Sequence, residues 1–127
     1  MPPTQRRQAS AADQAAVLTK ATLRAATRLG LTNKFLAAVI GVSEATVSRM
    51  SGGGYTLQHG QKSFELAVLF VRLYRSLDAI VGGDDAVAAS WLKNRNTVLD
   101  AEPLALIQTI PGLMNVIQYL DARRAVV

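Results

Sequence analysis

The sequence predicts an all-α protein with a helix-turn-helix bundle at its N-terminal end, a long central helix and a small helical domain at its C-terminal end. Apolar residues recur at helical spacing along most of the chain, and no segment alternates as a half-buried β-strand does. Glycines stand where helices would end, notably Gly30, Gly41 and Gly82. Half of the 127 residues are apolar, so a chain of this length can bury a core.

The first helix is expected to run from Asp13 to Leu29, an alanine-rich stretch that is followed by a glycine. Residues 1–12 contain the pair Arg6-Arg7, but no apolar stretch as long as that of a signal peptide follows the pair. We therefore interpret residues 1–12 as a mobile basic N-terminal arm rather than an export signal.

Two short helices follow, separated by a tight turn. Thr32 is suited to cap a helix from Asn33 to about Ile40. Gly41 then supplies a left-handed turn, and Ser43 is suited to cap a third helix that ends at the glycine cluster 52–54. Two helices joined in this way predict a helix-turn-helix.

The spacing of small and apolar residues in this segment matches that of helix-turn-helix repressors. Such a motif needs a small residue where its helices cross, a left-handed turn, and apolar residues on the facing sides. The residues that meet these needs at the repressor spacing are Ala37, Gly41, Val47 and Met50. We therefore assign residues 13–58 to a helix-turn-helix DNA-binding domain.

The second helix of the motif is expected to present an outward face that can enter the major groove of DNA. Arg49 is the candidate for a bidentate contact to guanine, and Lys34 for a contact to phosphate. Glu44 either accepts a hydrogen bond from cytosine or favours the helix dipole, and Ser43 is expected to act first as a helix cap. The full set of predicted DNA-binding residues is Lys34, Ser43, Glu44, Ala45, Thr46, Ser48 and Arg49.

Charge is distributed unevenly along the chain. Residues 1–62 hold eight lysines and arginines against two acidic residues, whereas residues 63–127 hold six against seven. Because lysine and arginine neutralise phosphates when proteins bind DNA, this asymmetry favours an N-terminal half that faces nucleic acid. A basic surface that serves only solubility explains the charge equally well, so the prediction depends on the motif.

The composition argues against enzymatic, metal-binding and membrane roles. The chain has no cysteine and a single histidine, His59, so a thiolate or histidine-based metal site lacks ligands. No set of nucleophile, base and orienting residue is recognisable. No apolar run exceeds six residues, the length of residues 66–71, which is far too short to cross a bilayer. We predict a soluble, cytoplasmic protein that is not an enzyme, needs no cofactor and contacts no membrane.

A long central helix is predicted from about Gly60 to Val81, with apolar residues around most of its circumference near the middle. Residues 59–83 are expected to link the two halves of the chain. They also offer a dimer interface, because helix-turn-helix proteins usually bind DNA as dimers. The same apolar surface is equally expected of an ordinary central core element, and both roles can hold at once.

Residues 84–127 are predicted to form the C-terminal domain. Asp84 and Asp85 favour the start of a helix that runs to about Leu92, because negative charge is stabilised at a helix N-terminus. Two shorter helices are expected to begin near Pro103 and Pro111, since proline is tolerated in a first helical turn.

A set of residues between positions 91 and 120 forms a further pattern. It comprises Trp91, Leu92, Asn96, Leu99, Pro103, Leu104, Leu106, Thr109, Gly112, Val116 and Leu120. Physical chemistry alone gives these residues structural roles, with Trp91-Leu92 as a buried helix end, Asn96 as a capping or turn residue and Gly112 as a close packing or turn point. The pattern resembles the toxin-binding domain of the Xre/MbcA/ParS antitoxin family, and the order of helix-turn-helix, linking helix and C-terminal domain is similar to that family as well.

The chain departs from the family pattern at three places. Asp100-Ala101 stands where the family commonly has a glycine pair, and the spacing from there to Pro103 is one residue shorter. The end of the chain lacks the usual closing glycine. We therefore expect the loop before Pro103 and the contacts of the tail to differ from the family pattern.

The resemblance implies the antitoxin of a type II toxin-antitoxin pair. It implies that the C-terminal half binds and occludes an NAD-consuming RES-domain toxin, and that a homodimer in a larger complex binds double-stranded operator DNA and represses the operon. Arg123 and Arg124 would begin a short tail able to enter the substrate pocket of the toxin, although both would equally satisfy the helix dipole. The predicted toxin-binding residues are Trp91, Asn96, Arg123, Arg124, Val126 and Val127.

Two other functions stay open on the residues alone. A free-standing dimeric phage-type repressor without a toxin partner would show the same motif and the same charge distribution. The pattern at Trp91, Asn96, Pro103 and Gly112 favours the antitoxin over it. An RNA-binding protein is expected to expose several aromatic residues, whereas Tyr55 stands alone beside the glycine cluster.

Overall fold

The computed structural model describes the backbone of residues 3–126 and the side chains of residues 10–125. Within this range it forms seven α-helices and one isolated β-bridge, between Asn96 and Ala101. The fold is all-α, with an N-terminal helix-turn-helix bundle and a C-terminal helical domain, as the sequence predicts. The helices are α1 (Pro3–Arg28), α2 (Asn33–Ile40), α3 (Glu44–Ser51), α4 (Lys62–Ile80), α5 (Asp85–Lys93), α6 (Pro103–Leu106) and α7 (Ile110–Val126).

The first helix, α1, begins at Pro3, ten residues before the predicted start at Asp13. Residues 3–12 are therefore the first turns of α1, and the predicted start of this helix at Asp13 is wrong. The cause is local, because alanine, arginine and glutamine favour a helix and proline is tolerated in its first turn. The interpretation of residues 1–12 as a basic arm stays a prediction. Residues 1 and 2 of the predicted arm lie outside the described residues.

The caps predicted around the helix-turn-helix are confirmed. The side chain of Thr32 accepts a hydrogen bond from the backbone N–H of Phe35 at 3.1 Å, and α2 begins at the next residue after Thr32. Gly41 takes the left-handed conformation, with φ 73°, and its N–H donates to the carbonyl of Ala37 at 2.9 Å. Ser43 caps α3 by accepting from the N–H of residue 46 at 3.0 Å. These local bonds fix the angle at which α3 leaves α2.

One buried hydroxyl on α1 forms a hydrogen bond with the loop that follows α3. Thr19 is 5% exposed, and its side chain accepts from the backbone N–H of Leu57 at 3.0 Å. The same hydroxyl donates to the carbonyl of Ala15 one turn earlier, at 2.8 Å. Since Leu57 is fully buried, this bond holds the loop against the core of the helix-turn-helix bundle.

The central helix, α4, is the shared core element of the chain. It contacts α1 and α2 in the N-terminal half and α5 and α7 in the C-terminal half. Its side chains Leu66, Phe70, Leu73 and Leu77 are buried in a hydrophobic cluster that extends from Ala25 to Leu120. Of the large apolar side chains on α4, Val68 is the one that stays clearly exposed, at 46%. The helix therefore joins both halves into one packed body.

Two polar clusters add to this packing. The guanidinium of Arg28 donates to the hydroxyl of Tyr74 at 3.1 Å, and that hydroxyl lies 3.5 Å from Asp85 at the start of α5. The hydrogen bond to Tyr74 raises the pKa of Arg28 above its ordinary value. On the other side, Arg72 of α4 forms an ion pair with Asp121 of α7, whose second oxygen accepts from Ser76 at 3.0 Å. These bonds join α4 to α1, α5 and α7.

The C-terminal helices begin where the sequence predicts. Asp84 caps α5 through the N–H of Val87 at 3.1 Å, and α6 starts at Pro103. The last helix begins at Ile110, close to the predicted start, but it runs for 17 residues and is not short. Its length follows from packing, because four buried side chains recur at helical spacing along it and face the core. They are Leu113, Val116, Ile117 and Leu120.

Candidate functional site

The helix α3 packs one side against the core and exposes the other. Val47 and Met50 are 0% and 3% exposed, as the helix-turn-helix spacing requires. Glu44, Ala45, Ser48 and Arg49 are exposed on the opposite side, and Lys34 is exposed at the start of α2. The predicted outward face is therefore present for these residues, and two of them carry positive charge.

Thr46 does not lie on this outward face, contrary to the prediction. It is 9% exposed, because positions 46, 47 and 50 have the helical spacing that places them on one buried stripe. Its hydroxyl lies 2.9 Å from the Ser43 hydroxyl and accepts a hydrogen bond from the Arg49 guanidinium at 3.0 Å. Ser43 itself is exposed and acts as a helix cap, which is the first of its predicted roles.

A second candidate surface lies at the C-terminal end, where three side chains from α5 and α7 stack. The ring of Trp91 lies 6.1 Å from the ring of Tyr119, with an interplanar angle of 16°. The guanidinium carbon of Arg123 lies 5.8 Å from the Tyr119 centroid. We call Trp91, Tyr119 and Arg123 the Trp91 column. Its contacts combine aromatic stacking with a cation–π interaction.

The Trp91 column differs from the prediction in two respects. Leu92 is fully buried as expected of a helix end, but Trp91 is only half-buried and keeps part of its ring accessible. Tyr119 was not among the predicted site residues. The available signal was its spacing, because residues 119 and 123 are four apart on one helix and therefore neighbours on its surface.

Asn96 shapes the loop beside Trp91, and its predicted role as a turn residue is confirmed. Its side-chain oxygen accepts from the N–H groups of Val98 and Leu99 at 2.9 and 3.0 Å, and its own N–H donates to the carbonyl of Ala101 at 2.9 Å. A depression of about 460 Å³ lies between this loop and α5. Its lining residues are Asp84, Ala86, Val87, Ser90, Trp91, Asn94, Arg95 and Asn96.

Asp100, the first of the two residues that stand at the expected glycine pair, has a glycine-like backbone. Asp100 has φ 58°, in the left-handed region that L residues rarely adopt. Its carboxylate forms an ion pair with Arg95, and both side chains are exposed. The loop thus has a left-handed residue at this point without a glycine.

The predicted tail is the last turn of α7, which continues as a helix to Val126. The side chains of its two arginines lie at different surfaces. Arg123 joins the Trp91 column, whereas Arg124 lines a groove of about 700 Å³ between α1 and α4. Of the predicted toxin-binding residues, Trp91, Asn96 and Arg123 therefore lie at one end of the molecule and Arg124 does not. The side chain of Val126 and all of Val127 lie outside the described residues.

Comparison with protein families accounts for most of the chain. Residues 8–72 match the antitoxin Xre-like helix-turn-helix domain, and residues 76–125 match the antitoxin Xre/MbcA/ParS C-terminal toxin-binding domain. No curated protein matches the chain. Between residues 3 and 126, no helix is both long enough and apolar enough to cross a membrane. The two matches meet inside α4, the helix shared by both halves, and the chain belongs to the Xre/MbcA/ParS antitoxin family.

Proposed function

We propose that this antitoxin binds and occludes a RES-domain toxin that consumes NAD, and that its helix-turn-helix represses the operon that encodes the pair. The observation that carries the proposal is the presence of both family domains on one packed body, each with an exposed polar or aromatic surface. Regulation rather than catalysis is the role that these surfaces support. The cytoplasm is the proposed location, because operator DNA and NAD are both found there.

The toxin is proposed to bind the end of the molecule that carries the Trp91 column. Tryptophan, tyrosine and arginine are the residues most often found at the energetic centres of protein interfaces. The depression between α5 and the Asn96 loop lies beside the half-buried ring of Trp91 and offers a place for a partner side chain. Arg123 supplies a guanidinium, which forms charge-assisted hydrogen bonds with carboxylates of a partner. Binding over the nucleotide pocket of the toxin would exclude NAD from it.

Operator DNA is proposed to bind the exposed face of α3. Arg49 has the donor geometry for a bidentate contact to guanine, Ser48 can bond a base edge, and Ala45 can contact a thymine methyl group. Lys34 is placed for a phosphate contact, since it is exposed on the first turn of the preceding helix. Because α3 is capped by Ser43 and buries Val47 and Met50, its exposed face is present without DNA.

The groove between α1 and α4 is proposed to hold a second copy of the chain. Val17 and Val68 border it and are 64% and 46% exposed, although both are apolar. Asp13 lies on the α1 wall, whereas Arg75 and Arg124 lie on the other side. In a two-fold arrangement the single acidic residue of each α1 wall would face the arginines of the other copy. Val17→Glu is expected to shift the mass measured by sedimentation from dimer to monomer, and an unchanged mass would exclude this surface.

The experiment that tests the toxin partner uses the gene adjacent to that of the antitoxin. This gene is induced in a bacterial host with and without the antitoxin, while growth and cellular NAD are measured. We expect growth and NAD to fall when the gene is induced alone and to recover when the antitoxin is present. A harmless neighbour would contradict the proposal and leave a dimeric repressor without a toxin.

The two adjacent arginines supply a matched pair of variants for the same assay. Arg123→Ala removes a member of the Trp91 column, whereas Arg124→Ala removes an arginine that lies in the α1–α4 groove. We expect the first to weaken neutralisation and the second to leave it unchanged. Equal effects of both would contradict the proposed toxin surface. We expect deletion of residues 123–127 to weaken neutralisation to the same extent as Arg123→Ala. A larger loss would show that the remainder of the tail enters the toxin.

A further inference from the structure

Three polar side chains at the start of α3 form a continuous chain of hydrogen bonds. The hydroxyls of Ser43 and Thr46 lie 2.9 Å apart, and the guanidinium of Arg49 donates to the Thr46 hydroxyl at 3.0 Å. Ser43 also accepts from the backbone N–H of Thr46 at 3.0 Å, which is the helix cap. The chain thus runs from the capped end of α3 along the helix to Arg49.

The helix cap does not need the Thr46 hydroxyl, because the backbone N–H of residue 46 makes the capping bond. A valine would fill the same buried volume with the same branching at Cβ. The hydroxyl has two side-chain partners, the hydroxyl of the cap residue Ser43 and the guanidinium of Arg49. Since the cap already has its backbone bond, the bond that the Thr46 hydroxyl adds beyond the cap is the one to the arginine.

A guanidinium has five N–H donors, so the bond to Thr46 leaves four for a base edge or a phosphate. A free arginine side chain is flexible and loses that freedom when it binds. An arginine already held in one geometry loses less. The Thr46 bond lowers this entropic cost before DNA arrives.

We infer that Thr46 is a positioning residue that sets the geometry of Arg49 for reading a base in the major groove. This inference rests on the DNA-binding half of the proposed function and adds a buried residue to it. Thr46 does not touch DNA in this arrangement. It acts through Arg49 and therefore affects recognition of the base that Arg49 contacts.

The test is a double-mutant cycle on the full-length antitoxin. Binding is measured to the duplex immediately upstream of its own coding sequence, after footprinting has located the protected segment, and to an unrelated duplex of the same length. The variants are Thr46→Val, Arg49→Ala and the combination of the two. Thr46→Ser keeps the hydroxyl and serves as rescue. Thr27→Val is the matched control, because Thr27 bonds only the carbonyl of Leu23 on α1.

We expect Thr46→Val to weaken binding to the protected segment by about two- to tenfold, which corresponds to the cost of ordering one flexible side chain. Binding to the unrelated duplex and the slope of affinity against salt should stay unchanged, because no phosphate contact is lost. In the Arg49→Ala background the same substitution should have no effect. Thr46→Ser and Thr27→Val should bind as the parent does.

Two results would overturn the inference. An equal loss from Thr46→Val with and without Arg49 would show that Thr46 acts independently of the arginine. An equal loss on both duplexes, together with a lower melting temperature, would show a purely structural role. Failure of the proposed function is a separate result, since the parent would then protect no segment of the upstream duplex.

Discussion

The two candidate surfaces of this antitoxin are built in different ways. The α3 face is polar, belongs to one eight-residue helix and is set by caps that act within three residues of sequence. The Trp91 column is aromatic and joins α5 to α7, whose stacked rings stand 28 residues apart. The first surface depends on local chemistry and the second on tertiary packing. Variants that disturb the packing of α7 should therefore damage the second surface first.

The largest effect is expected from Gly112→Ala. A Cβ at this position would overlap the carbonyl oxygen of Leu106 and lie 2.7 Å from its carbonyl carbon, so the backbone between α6 and α7 would have to move. We expect a loss of about 3 kcal/mol or more in the free energy of unfolding, the upper range for overpacked sites. Urea denaturation followed by circular dichroism measures it. Neutralisation of the toxin should fall together with stability.

The matched control for Gly112→Ala is Gly52→Ala. Gly52 has a right-handed helical backbone, and a Cβ there would meet its nearest atom at 3.7 Å, an ordinary contact. We expect its stability to stay within about 0.5 kcal/mol of the parent, as for most substitutions away from special features.

Because α4 is shared by both halves, Gly112→Ala should also unfold in a single transition. Two separate transitions would show that the halves are independent.

The next largest effect is expected from Trp91→Ala. Removing the exposed part of the ring and its stacking on Tyr119 should weaken toxin binding by at least about 2 kcal/mol, the value typical of an interface centre. Trp91→Phe keeps an aromatic ring and should retain most of the affinity. Calorimetric titration of the purified toxin with each variant gives the numbers. DNA binding should not change, and a parallel loss there would contradict the separation of the two surfaces.

The third effect concerns Arg49 on the other surface. Arg49→Ala should weaken binding to the upstream duplex by about 1–3 kcal/mol, while toxin neutralisation and the oligomeric state stay as in the parent. Arg49→Lys keeps the charge but loses the planar pair of donors, so it should restore phosphate attraction without base discrimination. Fluorescence anisotropy with matched and base-substituted duplexes separates the two. Equal binding by Arg49→Ala and the parent would remove Arg49 from the recognition surface.

Much of the fold could be predicted because its determinants are local. The caps Thr32 and Ser43 and the left-handed Gly41 act through bonds to residues three or four positions away. The start of α1 at Pro3 was missed although its residues favour a helix, because the arginine pair was interpreted as an arm. The length of α7 could not be inferred from caps, since it is set by packing on α4.

The site residues were predicted less well, for the same physical reason. Which side of a helix is buried depends on its neighbours, and the outward assignment of Thr46 failed because positions 46, 47 and 50 share one buried stripe. Arg123 and Arg124 are adjacent in sequence but point to different surfaces of α7. The spacing of Tyr119 from Arg123 is a local signal, but its contact with Trp91 joins two helices and could not be inferred from a local pattern.

The smallest effect is expected at Asp100, where the chain departs from its family. An L residue with φ 58° has a conformational cost that glycine avoids. Glycine, however, loses more entropy on folding. The substitution would also remove the exposed ion pair with Arg95. These terms nearly cancel, so Asp100→Gly should change the free energy of unfolding by less than about 0.5 kcal/mol. Asp100→Ala lacks both the ion pair and the tolerance for positive φ, and it should lose about 1 kcal/mol. Thermal and urea unfolding of the three proteins measure the order. A glycine variant as unstable as the alanine variant would show that the ion pair, and not the backbone conformation, determines the loop beside the Trp91 column.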